Sequence, residues 1–298
     1  MDDSLGVTWS VVPEKNFNAL IEQFKGKCHS WVVMLSTVQR IKSGAVEGNI
    51  FTNGWPKFSS LVLQCRSKEL VVLDCYVLVE PDRSIIESFA EQLHKIIRSE
   101  ERLYWIFANA GLAKDLQPLL QLKATQPGLA TPSYCVDVLA DLIFYYIPVT
   151  DVSTFTKEEP LLVPDDYVLR KLEDRHLEVV STVWEYPVCG GIIPFLTDLV
   201  KLYHSVGVFT RLPSGIISET PIGWCLQYPN GEVGSLYVVE EYRRKGLAKI
   251  MVQHMCKLVV EDGEIPFISA EKNNFKPISL FLNVGFVELG NCVNLFCM

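Results

Sequence analysis

Apolar residues recur at three-and-four spacing over Phe17 to Phe24 and Ile85 to Ile97, which predicts two amphipathic helices. β-rich runs at Val32 to Leu35, Ser60 to Gln64 and Leu70 to Val79 predict strands, with Asn53-Gly54-Trp55-Pro56 as a turn. Tyr104 to Ala108 and Phe144 to Pro148 read as further strands. Residues 149–164, with Pro148, Pro160 and Pro164 around a charged, hydroxyl-rich stretch, predict a domain boundary. It separates an amino-terminal α/β domain, 1–155, from a second domain, 160–298. The second half predicts strand Tyr167 to Lys171, helices Arg175 to Glu185 and Ile192 to Leu202, then strands Val206 to Arg211 and Ile222 to Tyr228. The turn Pro229-Asn230-Gly231 leads into strand Glu232 to Val239, and Arg243 to Leu247 is a short Gly-containing loop. Helix Ala248 to Glu261, strand Phe267 to Ala270, helix Lys276 to Val284 and a last strand from Phe286 complete a mixed α/β (α+β) pattern.

Composition narrows the function classes. The 298 residues are 49% hydrophobic and 21% charged, enough apolar material for one or two cores. The net charge of −8 lacks the broad basic footprint of a nucleic-acid or anionic-membrane binder, leaving room for a local basic patch that holds one phosphorylated ligand. The nine cysteines (Cys28, Cys65, Cys75, Cys135, Cys189, Cys225, Cys256, Cys292, Cys297) show no C-x-x-C pair, and the five histidines form no metal-binding spacing, so no metal site is expected. The scattered thiols and the acidic start, Met1-Asp2-Asp3-Ser4-Leu5, read as an intracellular protein without a signal peptide or Arg-rich presequence. Cytoplasm and mitochondrion stay equally open. Cys135 to Val149, the most apolar long stretch, is too short to span a bilayer and carries Asp137 and Asp141. A soluble monomer is expected.

The chemistry concentrates in Leu236-Tyr237-Val238-Val239, followed by Arg243-Arg244-Lys245-Gly246-Leu247-Ala248. A strand runs into a cationic loop with one glycine, and a helix starts at once. Backbone N–H groups at a helix N-terminus have no intrahelical partner, and the dipole favours an anion there. Gly246 removes the Cβ that would hold a bulky phosphate away from those amides. Leu247, Ile250, Met251, His254 and Leu258 give the helix a core face that fixes the loop. The stretch reads as a pyrophosphate cradle, although three adjacent cations are also compatible with a solvated charge run.

Arg243-x-x-Gly246-x-Ala248 resembles the R/Q-x-x-G-x-G/A loop of the GCN5-related N-acetyltransferase (GNAT) superfamily, and the resemblance covers most of residues 165 to 298. Val183-Trp184-Glu185-Tyr186 with Gly190-Gly191, then Trp224-Cys225-Leu226 and Gly231-Glu232, are similar to the glycine N-acyltransferase family. Trp55-Pro56-Lys57-Phe58-Ser59-Ser60-Leu61-Val62 resembles that family's amino-terminal domain. The resemblance implies a carboxy-terminal GNAT-like domain preceded by a second, smaller or GNAT-like α/β domain. It implies transfer of an acyl group from acyl-CoA or acetyl-CoA, a co-substrate rather than a tightly bound cofactor, to the amino group of glycine or a related small amine.

By the same resemblance Glu232 is the general base, worth typically ~10²–10⁴-fold. In the plain sequence reading, a Glu after Asn-Gly is a solvated hairpin residue. Leu236 to Val239 would line the pantetheine arm with backbone groups, the acyl carbonyl lying at a main-chain N–H near Val238. Arg243 to Ala248 would hold the pyrophosphate. Asn274 either contacts the CoA arm or caps the next helix. Phe281 stands where many relatives have a tyrosine that protonates the leaving thiolate. Either the thiolate leaves without that proton, or another group such as Tyr237 serves, a role that strict strand alternation does not favour. His254 reads as a core histidine, and Cys225 and Cys256 as buried thiols. Two rival functions remain: a GNAT acetyltransferase acting on protein or polyamine amines, and a catalytically weak CoA-binding protein.

Overall fold

The computed structural model describes residues 8–24, 31–67, 70–77, 82–98, 103–125, 136–148, 150–156, 162–185 and 191–297. Cys28, Cys135, Cys189, Tyr186, Gly190, the opening Met1 to Leu5, the last two residues of the Leu70 to Val79 strand, and residues 149 and 157–161 of the expected boundary lie outside them. The chain divides into two units, Met1–Leu142 with Asn291–Met298, and Ile143–Gly290. The division falls inside the strands Val136–Tyr146 and Val287–Cys297, and the Pro-bounded stretch at 149–164 lies within the second unit.

The first unit is a sheet covered on both faces. Its strands are β1 (Ser10–Val11), β2 (Glu47–Thr52), β3 (Ser60–Arg66), β4 (Leu70–Val77) and β5 (Leu103–Ala108) in that order, followed by the last residues of Val287–Cys297, which pair antiparallel with β5 from Val293↔Ala108 to Cys297↔Tyr104. β1 to β4 are antiparallel neighbours, and β4 and β5 are parallel. On one face lie α1 (Phe17–Phe24) and α2 (Trp31–Ser43), packed with Leu61, Leu63 and Ile50. On the other, α3 (Arg83–Arg98) and α4 (Ala110–Ala124) bury Phe89, Leu93, Leu116 and Leu120 against Val62, Val71 and Leu73. Successive β3 residues alternate between these two cores, so the strand reads as a nearly continuous apolar run.

The expected strand at Val32 to Leu35 is instead the start of α2. A four-residue apolar run fits a buried helix turn as well as a strand. Here Val33, Met34 and Val38 are all buried, and Arg40 and Lys42 sit in the last turn, where cations favour the helix dipole. α4 carries Pro118 inside it, and Asn109 caps its start by accepting from the Leu112 N–H at 2.8 Å.

In the second unit the last part of β6 (Val136–Tyr146) lies beside β11 (Phe267–Glu271). Beyond it come β10 (Val233–Val238), β9 (Ile217–Gln227), β8 (Ser205–Arg211) and β7 (Tyr167–Arg170). α8 (Leu247–Glu261) covers one face, where Met251, Met255 and Val259 meet Val206, Val208, Cys225, Val233 and Ile268. α6 (Leu177–Ser181) and α7 (Ile192–Leu202) pack against β9 from the other side. The expected helix at Arg175 to Glu185 is shorter, a 3-10 turn at Asp174–His176 followed by α6. Ser181 and Thr182 donate their hydroxyls back to the Glu178 and Val179 carbonyls, a competing arrangement that ends the helix. α5 (Ser153–Thr156) and α9 (Phe275–Val284) complete the unit. Among the described residues no helix is long and apolar enough to cross a membrane.

Phe89 is fully buried and meets the Trp9 ring edge-on at 5.1 Å, while Trp9 donates its indole N–H to Ser88. Phe89→Ala is expected to cost roughly 3–5 kcal/mol of stability, read as a lowered urea midpoint with little change in slope.

Candidate functional site

β10 has different neighbours on its two sides. Against β9 it is antiparallel, pairing Val233↔Gln227 and Gly234↔Leu226, then Tyr237↔Trp224 and Val238↔Gly223. Between those pairs β10 advances one residue more than β9, a β-bulge. Ser235 takes φ 50° there, a left-handed value uncommon outside glycine, and its hydroxyl lies 2.7 Å from the Tyr228 hydroxyl. Against β11, β10 is parallel and paired at one position, Val233↔Ile268. Beyond it the strands separate, and Gly234 to Tyr237 are half-exposed in the middle of a sheet. The parallel pair of the first unit shows no such opening: β4 and β5 pair at five positions, Leu70↔Leu103 to Asp74↔Phe107.

The bulge decides which way side chains point. Cys225, Val233 and Ile268 face α8, so Leu226, Gly234, Glu232 and Ser269 face the other way. Strict alternation would put Tyr237 on the α8 side, but the extra residue pairs it with Trp224 and turns it onto the face of Glu232. Its ring stacks on Trp224 at 4.9 Å. The Val239 N–H bonds across β9 to the Ile222 carbonyl. The N–H of Val238 therefore points the opposite way, towards the separation from β11.

Glu232 is buried, with 4% of its surface exposed, which replaces the solvated-hairpin reading. Its carboxylate accepts a short hydrogen bond from the Ser269 hydroxyl. Burial pushes its pKa from 4.5 up to about 7, and the hydrogen bond from Ser269 only partly offsets that rise.

At the far end of β10 the chain makes a 3-10 turn, Glu240–Tyr242, and enters α8 through Gly246. Gly246 occupies the N-cap position at φ 78°, with no side-chain capping bond and nothing within 4 Å of where a Cβ would stand. The first amides of α8 thus open onto free space. The corresponding helix start in the first unit is closed: Asp82 accepts from the Ile85 N–H at 2.9 Å and the Ser84 hydroxyl at 2.7 Å, and those bonds hold its carboxyl below the usual range.

Arg243, Arg244 and Lys245 are exposed. Arg243 donates Nε to the Val238 carbonyl at 2.9 Å and lies 5.7 Å from the Tyr237 ring centre, so it ties the loop to the strand end. Arg244 has φ 62°, and the Lys245 ammonium sits 5.1 Å from the Tyr242 ring centre. Leu236 packs towards the α8 core, Leu247 is buried in it, and Ala248 is half-buried beside it. Asn274 is exposed at the start of α9 and makes no side-chain capping bond. Phe281 is 2% exposed, in the core between Tyr145 and Phe286, each ring at 6.0 Å. The structure thus brings Glu232, the bulge and the Gly246 helix start onto one strand and its exit, while Phe281 lies beneath in the core.

Two other expectations resolve simply. Cys225 and Cys256 are buried thiols, both raised by burial, Cys225 to about 12. His254 is half-buried rather than in the core; it lines a cavity of about 480 Å³ with Tyr167, Arg211, Lys257 and Glu261, along the later turns of α8. No group of three or more His, Cys, Asp or Glu able to hold a metal occurs among the described residues. Ser269 escaped the sequence reading: it sits in a correctly expected strand, but only the register of β11 against β10 reveals its partner.

The family model of FR47-like protein matches residues 205–295. A sequence search of curated proteins gives no match. Among solved structures, a Drosophila protein is similar at TM-score 0.70 and 14% identity, with 98% of each chain covered. A Pyrococcus horikoshii protein assigned as an acetyltransferase is similar at 0.53 and 11%, covering 99% of this chain and 90% of that one. A tandem GNAT protein from the clavulanic acid biosynthesis pathway is similar at 0.49 and 10%, with 98% of each covered. The likeness to the Drosophila and Pyrococcus horikoshii structures is one of fold, and the FR47-like match supports the GNAT superfamily for residues 205–295.

A buried carboxyl with a raised pKa makes stability depend on pH. Between 4.5 and about 7 the folded protein keeps a proton on Glu232 that the unfolded chain has released, so this contribution is full at low pH and is lost as pH rises. At about 1.4 kcal/mol per unit the loss is on the order of 3 kcal/mol. Urea unfolding from pH 4.5 to 8 should show Glu232→Gln gaining stability relative to the parent over that window; parallel curves would refute the assignment.

Proposed function

We propose that the protein is an acyl-CoA-dependent N-acyltransferase of the glycine N-acyltransferase type, working by direct attack of an amine on the thioester. The observation that carries this reading is the strand β10 itself. It leaves β11 after one pair, holds a buried carboxylate at its start and ends at an uncapped helix N-terminus. In this reading the diphosphate of CoA sits against the first amides of α8, with Gly246 giving close approach and Arg244 and Lys245 adding positive charge. The pantetheine arm runs along the opened edge of β10 at Leu236 to Val239, and Asn274 contacts the arm from the start of α9. The Val238 N–H receives the developing oxyanion.

Glu232 takes a proton from the acceptor's ammonium group, on the face shared with Trp224 and Tyr237. A pKa of about 7 suits that task, since the carboxylate is then basic enough to accept the proton and still largely ionised just above neutrality. The amine attacks the thioester carbon, the tetrahedral intermediate collapses with cleavage of the C–S bond, and the proton that the nitrogen sheds in becoming an amide goes to the departing thiolate, directly or through water. Tyr237, turned by the bulge onto the cleft face, is the phenol available there in place of the tyrosine that Phe281 replaces. The acceptor is glycine or a related small amine. A second reading, a CoA-binding protein with weak or no turnover, is favoured by one observation: Phe281 is a buried hydrocarbon ring at the position of the family's proton donor.

Thiol release from acetyl-CoA with glycine, other amino acids, amines and peptides separates these readings. Turnover is expected with small amino acids, whereas a rise in melting temperature with acetyl-CoA and no thiol release for any acceptor selects the second reading. Glu232→Gln should lower kcat by about 10²–10⁴-fold while the melting-temperature shift with acetyl-CoA persists. Gly246→Val should abolish that shift, because a β-branched residue is strained at φ 78° and its side chain fills the space before the helix amides.

A further inference from the structure

The reading of Glu232 as a base leaves open what holds a charged carboxylate still in so buried a place. We infer that Ser269 is the positioning residue for Glu232, its hydroxyl fixing the carboxylate on the cleft face at the point where β10 and β11 last touch. This inference rests on the proposed function for its catalytic consequence, though not for the contact itself.

Ser269 follows Ile268, the one residue of β11 that pairs with β10, so its side chain stands at the root of the opening. Its neighbours Ile268 and Ala270 are buried in the α8 core, while Ser269 is half-exposed on the opposite face, the face of Glu232. Its hydroxyl donates to Oε1 of Glu232. In the turn before β10, Asn230 accepts from the Glu232 backbone N–H at 3.2 Å and so fixes the main chain that carries the carboxyl. The groups acting on the carboxyl from both elements are uncharged. The Ser269 hydroxyl rather than a cation therefore supports the ionised form, and a bond to a charged acceptor is of the strong kind. The Ser269 bond opposes the upward push of burial, keeping the base ionised nearer neutral pH.

Ser269→Ala removes the hydroxyl. Ser269→Thr keeps the hydroxyl, and Ser269→Cys keeps the volume with a weaker donor should the alanine variant be unstable. Carboxyl titration by infrared difference spectroscopy, with Glu232→Gln as the reference, reads the effect without turnover. The Glu232 titration is expected to move upward by about one unit or more in Ser269→Ala, to move in the same direction in Ser269→Cys, and to stay in place in Ser269→Thr. With acetyl-CoA and the best acceptor of the panel, the acid limb of kcat should move by the same amount, KM for acetyl-CoA should hold, and kcat should recover at high pH. An unmoved titration, or a loss of kcat equal at every pH, overturns the inference. A moved titration with an unmoved pH–rate limb supports the hold of Ser269 on Glu232 and overturns the role of Glu232 as the base.

Discussion

The site depends on the separation of two parallel strands that would ordinarily stay bonded. An interior sheet strand that loses a neighbour exposes N–H and C=O groups, each costing about 1–3 kcal/mol if left buried without a partner. Here the cost is met locally. The bulge at Gly234 to Tyr237 turns β10 away, Arg243 bonds the Val238 carbonyl, and the Tyr228 and Ser235 hydroxyls bond each other over the irregular turn. The half-exposure of Gly234 to Tyr237 shows that the remaining edge meets open space rather than core. Such an edge accepts an extended chain bearing its own amides, as an added strand would.

Charge is handled at short range. The chain is acidic overall, with a formal charge of −8, yet Arg243, Arg244 and Lys245 stand together at the helix start where an anion is favoured. Glu232 is treated in the opposite manner: burial raises its proton affinity, and its uncharged hydrogen-bond donor offsets only part of that rise. One strand therefore has a basic carboxylate at its beginning and an anion-seeking helix end after its close, with the opened edge between them. The first unit shows the same parallel-pair-then-helix plan with both features closed, its strands bonded at five positions and its helix capped by Asp82.

Much of this was legible in the amino-acid order. The strands from Tyr167 onward, the Asn230-Gly231 turn and the Gly246 helix start all follow from local rules, because alternation, turn chemistry and helix-end geometry are short-range. Three things were not. The apolar run at Val32 to Leu35 carries no period long enough to tell a helix from a strand, and α2 prevailed through burial of Val33, Met34 and Val38. The facing of Tyr237 reverses through one inserted residue, which alternation by itself cannot reveal. The Ser269–Glu232 bond joins residues 37 apart through a register that only the folded sheet defines.

The division of the chain inside two strands has a practical consequence for dissecting it. A fragment beginning at residue 160 keeps Glu232, β10 and Gly246 but discards Tyr145 and Ile147, both fully buried in the second unit's core, and with Ile147 the hydrogen bond to the Pro266 carbonyl. The same cut leaves Val293 to Cys297 without β5, the strand they pair with. A cut in the proline-bounded stretch would accordingly not release an autonomously folded piece.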